Sequence, residues 1–151
     1  MPLLHSAIVE QPIQLDHLIR LAQSDGCGAV VIFLGTVRDV NDGRSVTGMD
    51  YEAYLPMAQK ELRAVALEVC SRVPDLRVCV EHRIGSLALG DVSVAIMAAH
   101  PHRSEAFNGA RAIIDELKRR VPIWKREHYA NGELSWVDPT HSFTKPAGGD
   151  G

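Results

Sequence analysis

A chain of 151 residues, 46% of them apolar and 23% charged, suits one domain with a sizeable core. Its net charge of −3 argues against a general nucleic-acid-binding surface, and no apolar run approaches the ~20 residues that a membrane span needs. The opening MPLLHSAIVEQP lacks the basic region and long apolar stretch of a secretory leader, so the expected location is the cytoplasm. There Cys27, Cys70 and Cys79, which form no CxxC pair, read as reduced small apolar residues.

In chain order, residues 6–13 alternate weakly and predict an edge strand ending at Pro12. Leu15, Leu18, Ile19 and Ala22 have helical spacing, which predicts a helix over 14–24 closed by Asp25-Gly26. Residues 28–37, GAVVIFLGTV, are almost continuously apolar and β-branched, the pattern of a central strand buried on both faces. Arg38 stands where that strand leaves the core. A polar loop, DVNDGR, follows at 39–44, then a strand over 45–54. Pro56 suits the first turn of a helix whose apolar face is Ala58, Leu62, Val65, Ala66 and Val69, ending near Val73-Pro74. Leu76, Val78 and Val80 alternate with Arg77, Cys79 and Glu81, as in a half-buried strand. Residues 84–91, IGSLALGD, carry two glycines and predict a turn or bulge; 92–99, VSVAIMAA, predict a strand.

The last helix is predicted over 104–120, with Ser104 as its N-cap. On a wheel at 100° per residue, Phe107, Ala110, Ile113, Ile114 and Leu117 share one apolar arc, with Lys118 and Arg111 just past its border. Lys118 is therefore expected to be half-buried, its stem along apolar surface and its amine at an edge. Val121-Pro122 ends the helix, because the residue before a proline avoids the α region. Residues 123–129 and 133–137 flank Asn131-Gly132 and predict a hairpin. This order predicts a single α+β domain over 1–137, helices packed on a mainly antiparallel sheet, and a disordered tail over 138–151.

The chain has no Walker loop, no GxGxxG after a strand and no GxSxG. His100 and His102, with His82 or Glu81, meet no standard zinc spacing, and no metal site is expected. His102 and Arg103 stand at a helix N-terminus, where backbone N–H groups, the dipole and a guanidinium favour an anion. Lys118 and Lys125 flank Pro122, with Arg119, Arg120 and Arg126 close in sequence. Nearby positive charge and partial desolvation both lower a lysine pKa and favour a neutral, reactive amine. The plainer reading is a helix-end cation, favoured by ~0.3–1 kcal/mol through the macrodipole, and a strand-edge lysine. Together with Arg38, these cations suggest a phosphorylated or carboxylated small ligand.

Several ordered segments carry a more specific signal: GAVVIFLGTVRDVNDGRSV at 28–46, MDYEAY at 49–54, HRIGSLALGDVSV at 82–94, HRSEAF at 102–107, DELKRRVPIWKRE at 115–127 and WV at 136–137. The chain thereby resembles the large, catalytic subunit of molybdopterin synthase. The resemblance implies an α/β hammerhead-type fold and a homodimer within a heterotetramer. The implied partner is a small ubiquitin-like sulfur carrier ending in a Gly-Gly thiocarboxylate. Two sulfurs would pass from it to cyclic pyranopterin monophosphate, making the dithiolene of molybdopterin with no metal or organic cofactor. Lys118 and Lys125 match the two family lysines at the active site; Lys118 is the favoured one for the central chemical role, with Lys125 then orienting the substrate or thiocarboxylate and stabilising negative charge. Arg38 matches a substrate-binding arginine, and His102 and Arg103 an anion-binding pair supplied across the dimer interface. Thr36, Val37, Arg126 and Glu127 lie in the same matched segments as substrate-binding candidates, and Phe33 either lines the pocket or belongs to the core. Two departures stand out: His100 replaces an expected small polar residue, and Asp138-Pro139-Thr140-His141 replaces further charged residues after Trp136-Val137. The competing readings are a non-catalytic docking module for a ubiquitin-like carrier and a phosphometabolite-binding regulator.

Overall fold

The computed structural model describes residues 3–137. Its elements are β1 (Leu3–Val9), α1 (Leu15–Ala22), β2 (Ala29–Thr36), β3 (Val40–Asn41), β4 (Arg44–Ala53), α2 (Leu55–Arg72), β5 (Arg77–Arg83), β6 (Gly85–Ala88), β7 (Val92–His100), α3 (Arg103–Arg120), β8 (Ile123–Tyr129) and β9 (Leu134–Val137). One sheet has the order β1-β5-β7-β2, with β1 and β5 parallel and the other neighbours antiparallel. The second has the order β3-β4-β8-β9, with β6 also paired to β4, and is antiparallel throughout. The expected α+β class, with helices on mainly antiparallel sheets, is what forms.

Strand alternation decides which helix each face meets. Val78 and Val80 of β5 and Val94, Ile96 and Ala98 of β7 join Leu62, Val65 and Val69 of α2 and Ile113 and Leu117 of α3 in the main core. The alternate residues, Cys79, Ala95, Met97 and Ala99, pack on Leu18 and Ala22 of α1. The first sheet is thus a middle layer with α1 on one side and α2 and α3 on the other. Burying an aliphatic side chain such as Leu62 or Ile113 stabilises the fold by about 1.5–3 kcal/mol relative to leaving it exposed.

The interior, doubly covered strands are β5 and β7, not the stretch at 28–37. That stretch becomes β2, at the sheet edge, with Ile32 and Leu34 exposed. Ile32 and Leu34 pair with Met97 and Ala95 and so share the α1 face, but the eight-residue α1 packs on β5 and β7 and does not reach them. The first strand is an edge strand as expected, although it starts at Leu3 and ends at Val9, well before Pro12. Within 84–91, Gly85–Ala88 pairs with β4 as β6, and the turn is confined to the residues around Gly90. The polar loop at 39–44 contains β3, folded back on β4 through Asp42 and Gly43, both at positive φ.

α3 starts at Arg103, one residue earlier than expected, so Ser104 is not its N-cap. His102 takes that position, without a side-chain cap, and its N–H donates to His100 Nδ1 at 2.9 Å. Phe107 is exposed; the buried stripe of α3 runs instead through Ala106, Gly109, Ala110, Ile113, Ile114 and Leu117. A Cβ on Gly109 would stand 2.8 Å from Leu76 Cδ2, so the helix approaches too closely for larger residues there. α3 stops at Val121, whose extended backbone precedes Pro122, and β8 begins at once. The expected tail, 138–151, lies outside the described residues.

Gly28 joins α1 to β2 at another close approach: a Cβ there would meet the Pro101 carbonyl oxygen at 2.7 Å. Both partners are backbone, so neither moves cheaply. Gly28→Ala is expected to cost about 1–3 kcal/mol and to displace the turn that leads into His102 and Arg103. Urea unfolding of the variant measures the first effect; an unchanged midpoint would contradict the packing described.

Candidate active site

Where the two sheets meet beneath the last turns of α3, the chain encloses a cavity of about 230 Å³. Phe33, Gly35 and Thr36 of β2 form one wall, followed by Arg38, Val40 and Asn41. Met49 and Tyr51 of β4, His82 of β5 and Ser93 of β7 supply a second group. Leu117 and Lys118 come from α3, and Lys125 and Glu127 from β8. Alternation along β8 turns Ile123, Lys125 and Glu127 to the cavity while Trp124, Arg126 and His128 take the opposite face.

The cavity holds a surplus of positive charge around one buried carboxylate. Glu127 is 1% exposed, and its Oε1 accepts a hydrogen bond from Asn41 Nδ2 at 2.8 Å, while Oε2 has no partner. Asn41 Oδ1 accepts in turn from Arg38 at 3.2 Å. Lys125 is half-buried, and burial is the main cause that lowers its pKa. The positive charges of Lys118 and Arg38 lower it further, and Glu127 opposes them. Deeper in, burial raises the Tyr51 phenol and pushes the His82 imidazole down to about 4, so both are neutral at pH 7.

The structure brings together five of the expected site residues: Thr36, Arg38, Lys118, Lys125 and Glu127. Phe33 satisfies both of its readings, lining the cavity and packing on the main core. Lys118 is exposed, not half-buried, because the last turn of α3 carries it over the cavity mouth. Its neighbours Arg119 and Arg120 are turned to other work: Arg119 pairs with Glu116 at 2.6 Å, and Arg120 binds Glu61 at 3.2 Å and Glu68 on α2.

Four expected residues lie elsewhere in the protomer. Val37 is buried with Met49 and Leu87. Arg126 binds Asp50 Oδ2 at 2.7 Å on the far face of β8, beside His128 at 2.8 Å from the same oxygen. His102 and Arg103 line a separate depression with Gly28 and Ser104. His100 Nε2 is 3.0 Å from the Pro74 carbonyl oxygen, and among the described residues no three His, Cys, Asp or Glu side chains are placed to hold a metal ion.

Asn41, Met49, Tyr51 and Ser93 also line the cavity without being expected from the sequence, and His82, which the sequence offers only as an unfavoured zinc ligand, joins them. Tyr51 sits two positions from Met49 within one alternating strand, the only hint that both face one side. Asn41 gave no signal beyond its place in a turn-rich loop.

A family model described as "MoaE protein" matches residues 8–120. The chain belongs to the MoaE family. Among curated relatives, the molybdopterin synthase catalytic subunit of Halalkalibacterium halodurans is 40% identical over 94% of this chain and 91% of its own length. Molybdopterin synthase catalytic subunit 1 of Mycobacterium tuberculosis is 42% identical over 86% of this chain and 88% of its own. The crystal structure of molybdopterin synthase from Staphylococcus aureus superposes with a TM-score of 0.82 at 35% identity, covering 86% of this chain and 94% of that one. A Helicobacter pylori complex of subunits 1 and 2 of molybdopterin-converting factor shares the fold, with a TM-score of 0.69 at 18% identity over 83% of this chain and 86% of that one. The MoaE match itself contains Thr36, Arg38 and Lys118 and stops short of Lys125 and Glu127.

Proposed function

We propose that this chain is the catalytic subunit of a molybdopterin synthase, a sulfurtransferase of molybdenum cofactor biosynthesis. The reading rests on one observation: in a MoaE-family chain, Arg38, Lys118 and Lys125 converge on a single cavity. Its substrate is cyclic pyranopterin monophosphate, and its co-substrate is a small ubiquitin-like carrier ending in a Gly-Gly thiocarboxylate. Both carry negative charge, which the cationic rim attracts.

The two lysines divide the work by depth. Lys118, at the mouth, meets the carrier's terminal carbonyl, where an amine serves in proton transfer or as a nucleophile. Lys125, half-buried beside Glu127, orients the substrate and stabilises negative charge as it develops. Thr36 and Arg38 hold the substrate at the β2 end of the cavity. His102 and Arg103 stand apart within one protomer, which suits their supply to the cavity of a second protomer in a homodimer. With two carriers this makes a heterotetramer. Residues 1–137 carry the activity. No described helix is long and apolar enough to cross a membrane, and three free cysteines suit a reducing compartment, the cytoplasm.

Single-turnover formation of molybdopterin tests this reading. Wild-type chain mixed with thiocarboxylated carrier and cyclic pyranopterin monophosphate is expected to give product. Lys118→Ala is expected to give none, while keeping its fold and its carrier docking. Absence of product from the wild type, with docking intact, would make the chain a docking module instead.

A further inference from the structure

We propose that His82 is a substrate-positioning residue, whose Nε2 lone pair accepts a hydrogen bond from an N–H donor of the substrate's neutral heterocycle. This deepens the molybdopterin synthase reading and rests on it for the identity of the ligand.

The geometry fixes the tautomer. His82 Nδ1 lies 2.9 Å from the Arg83 carbonyl oxygen, which can only accept, so Nδ1 carries the proton. The lone pair is then on Nε2. That nitrogen makes no hydrogen bond among the described residues and is not one of the fully enclosed polar atoms, so it opens to the cavity that His82 lines. The ring is held in place by the edge-to-face contact with Tyr51, centroids 5.1 Å apart. His82 itself is 5% exposed, so the acceptor is rigid and largely shielded from solvent.

Charge explains why a neutral acceptor stands there. The cavity's charged groups are Arg38 after β2, Lys118 on α3 and Lys125 and Glu127 on β8, whereas Tyr51, His82 and Ser93 are uncharged polar residues. Burial is the chief reason the imidazole stays neutral, and the positive charge of Lys118 adds to it. A neutral imidazole with its proton committed to Arg83 offers the cavity an acceptor and no donor. It therefore favours the N–H edge of a heterocycle over a phosphate oxygen, which the cations around it take. The difference in depth sets one orientation: the anionic end toward the exposed Arg38 and Lys118 at the mouth, the heterocycle toward the buried His82.

A pair of variants separates this role from a merely structural one. The amide nitrogen of asparagine can replace Nδ1–H and keep the bond to Arg83, but leaves nothing at the Nε2 position. Glutamine reaches the Nε2 position with an acceptor and gives up the bond to Arg83. Calorimetric binding of cyclic pyranopterin monophosphate to the full chain is the readout, with thermal midpoints measured beside it. His82→Asn is expected to weaken binding about tenfold, the worth of one lost hydrogen bond at a site built for it. His82→Gln is expected to recover most of that loss despite a lower thermal midpoint. Binding that follows the thermal midpoint, preserved in His82→Asn and lost in His82→Gln, would overturn the proposal, as would wild-type binding by both or no binding by the wild type. If the two variants separate as expected while the wild type forms no product with thiocarboxylated carrier, the positioning role stands and the sulfur-transfer reading falls.

Discussion

Lys125→Ala is expected to lower single-turnover sulfur transfer by about 10²- to 10³-fold, the range measured for deleting one preorganised charge-stabilising donor. The fold should survive, since the half-buried lysine reaches the cavity with its amine and leaves the core intact. The pH profile carries more information than the loss itself. Lys125 works as a cation in this reading, so activity requires the protonated form and declines as pH rises through its pKa. Burial, aided by Lys118 and Arg38, places that pKa below the ordinary lysine value of 10.5. The alkaline limb should accordingly begin earlier than an exposed lysine would give. Glu127 opposes the shift, so Glu127→Gln should move the limb to still lower pH. Lys125→Arg keeps the charge without titrating in the accessible range and should shift the limb upward. Rate measurements on the four proteins across the alkaline range check this; a limb that stays put in Lys125→Arg would remove Lys125 from the role.

The second large effect is on stability in acid. His82 has a pKa of about 4 in the folded chain, against 6.5 for the unperturbed side chain. The folded state therefore binds fewer protons here than the unfolded state once pH falls below 6.5. The stability held above that value is lost progressively as pH drops from 6.5 through about 4. At pH 4 the loss from this one residue is roughly 3 kcal/mol. Phe, Tyr or Gln at the position cannot titrate in this window. His82→Gln, whatever its cost at pH 7, should therefore gain roughly 3 kcal/mol relative to wild type between pH 7.5 and 4. Urea midpoints at the two pH values give the difference directly, and parallel behaviour of the two proteins would show that the imidazole is charged when folded.

The elements that were legible in the sequence are those with long, regular apolar periods. α2 and α3, the Val121-Pro122 break and the Asn131-Gly132 hairpin all stand where periodicity and turn chemistry put them. Edge and centre were not legible. The stretch GAVVIFLGTV carries bulkier apolar side chains than VSVAIMAA, yet the alanine-rich strand lies inside the sheet because helices cover both of its faces. Hydropathy records a residue's taste for burial, not the length of the helix available to bury it. The same limit applies to Phe107, which the wheel places inside and which lies exposed, off the buried stripe through Ala106, Gly109 and Ala110. In the site, the resemblance supplied Arg38, Lys118, Lys125 and Glu127. Alternation along β8 could have set Arg126 apart from Lys125, since neighbours on a strand face opposite ways. Asn41 and Tyr51 belong to the second sheet and His82 to the first, and only the meeting of the two sheets makes His82 their neighbour.

Asn41 has one more consequence. Its amide stands between a guanidinium and a carboxylate, accepting from Arg38 and donating to Glu127. Bonded directly, those two charges would satisfy each other and have little left for a visitor. With an amide between them they are insulated: each is oriented, neither is quenched, and Glu127 Oε2 remains unspent. An aspartate in that place could not donate to Glu127 and would set two anions side by side, while an apolar residue would release both ends. One uncharged side chain thus lets the cavity hold opposite charges at close quarters without their collapsing onto one another.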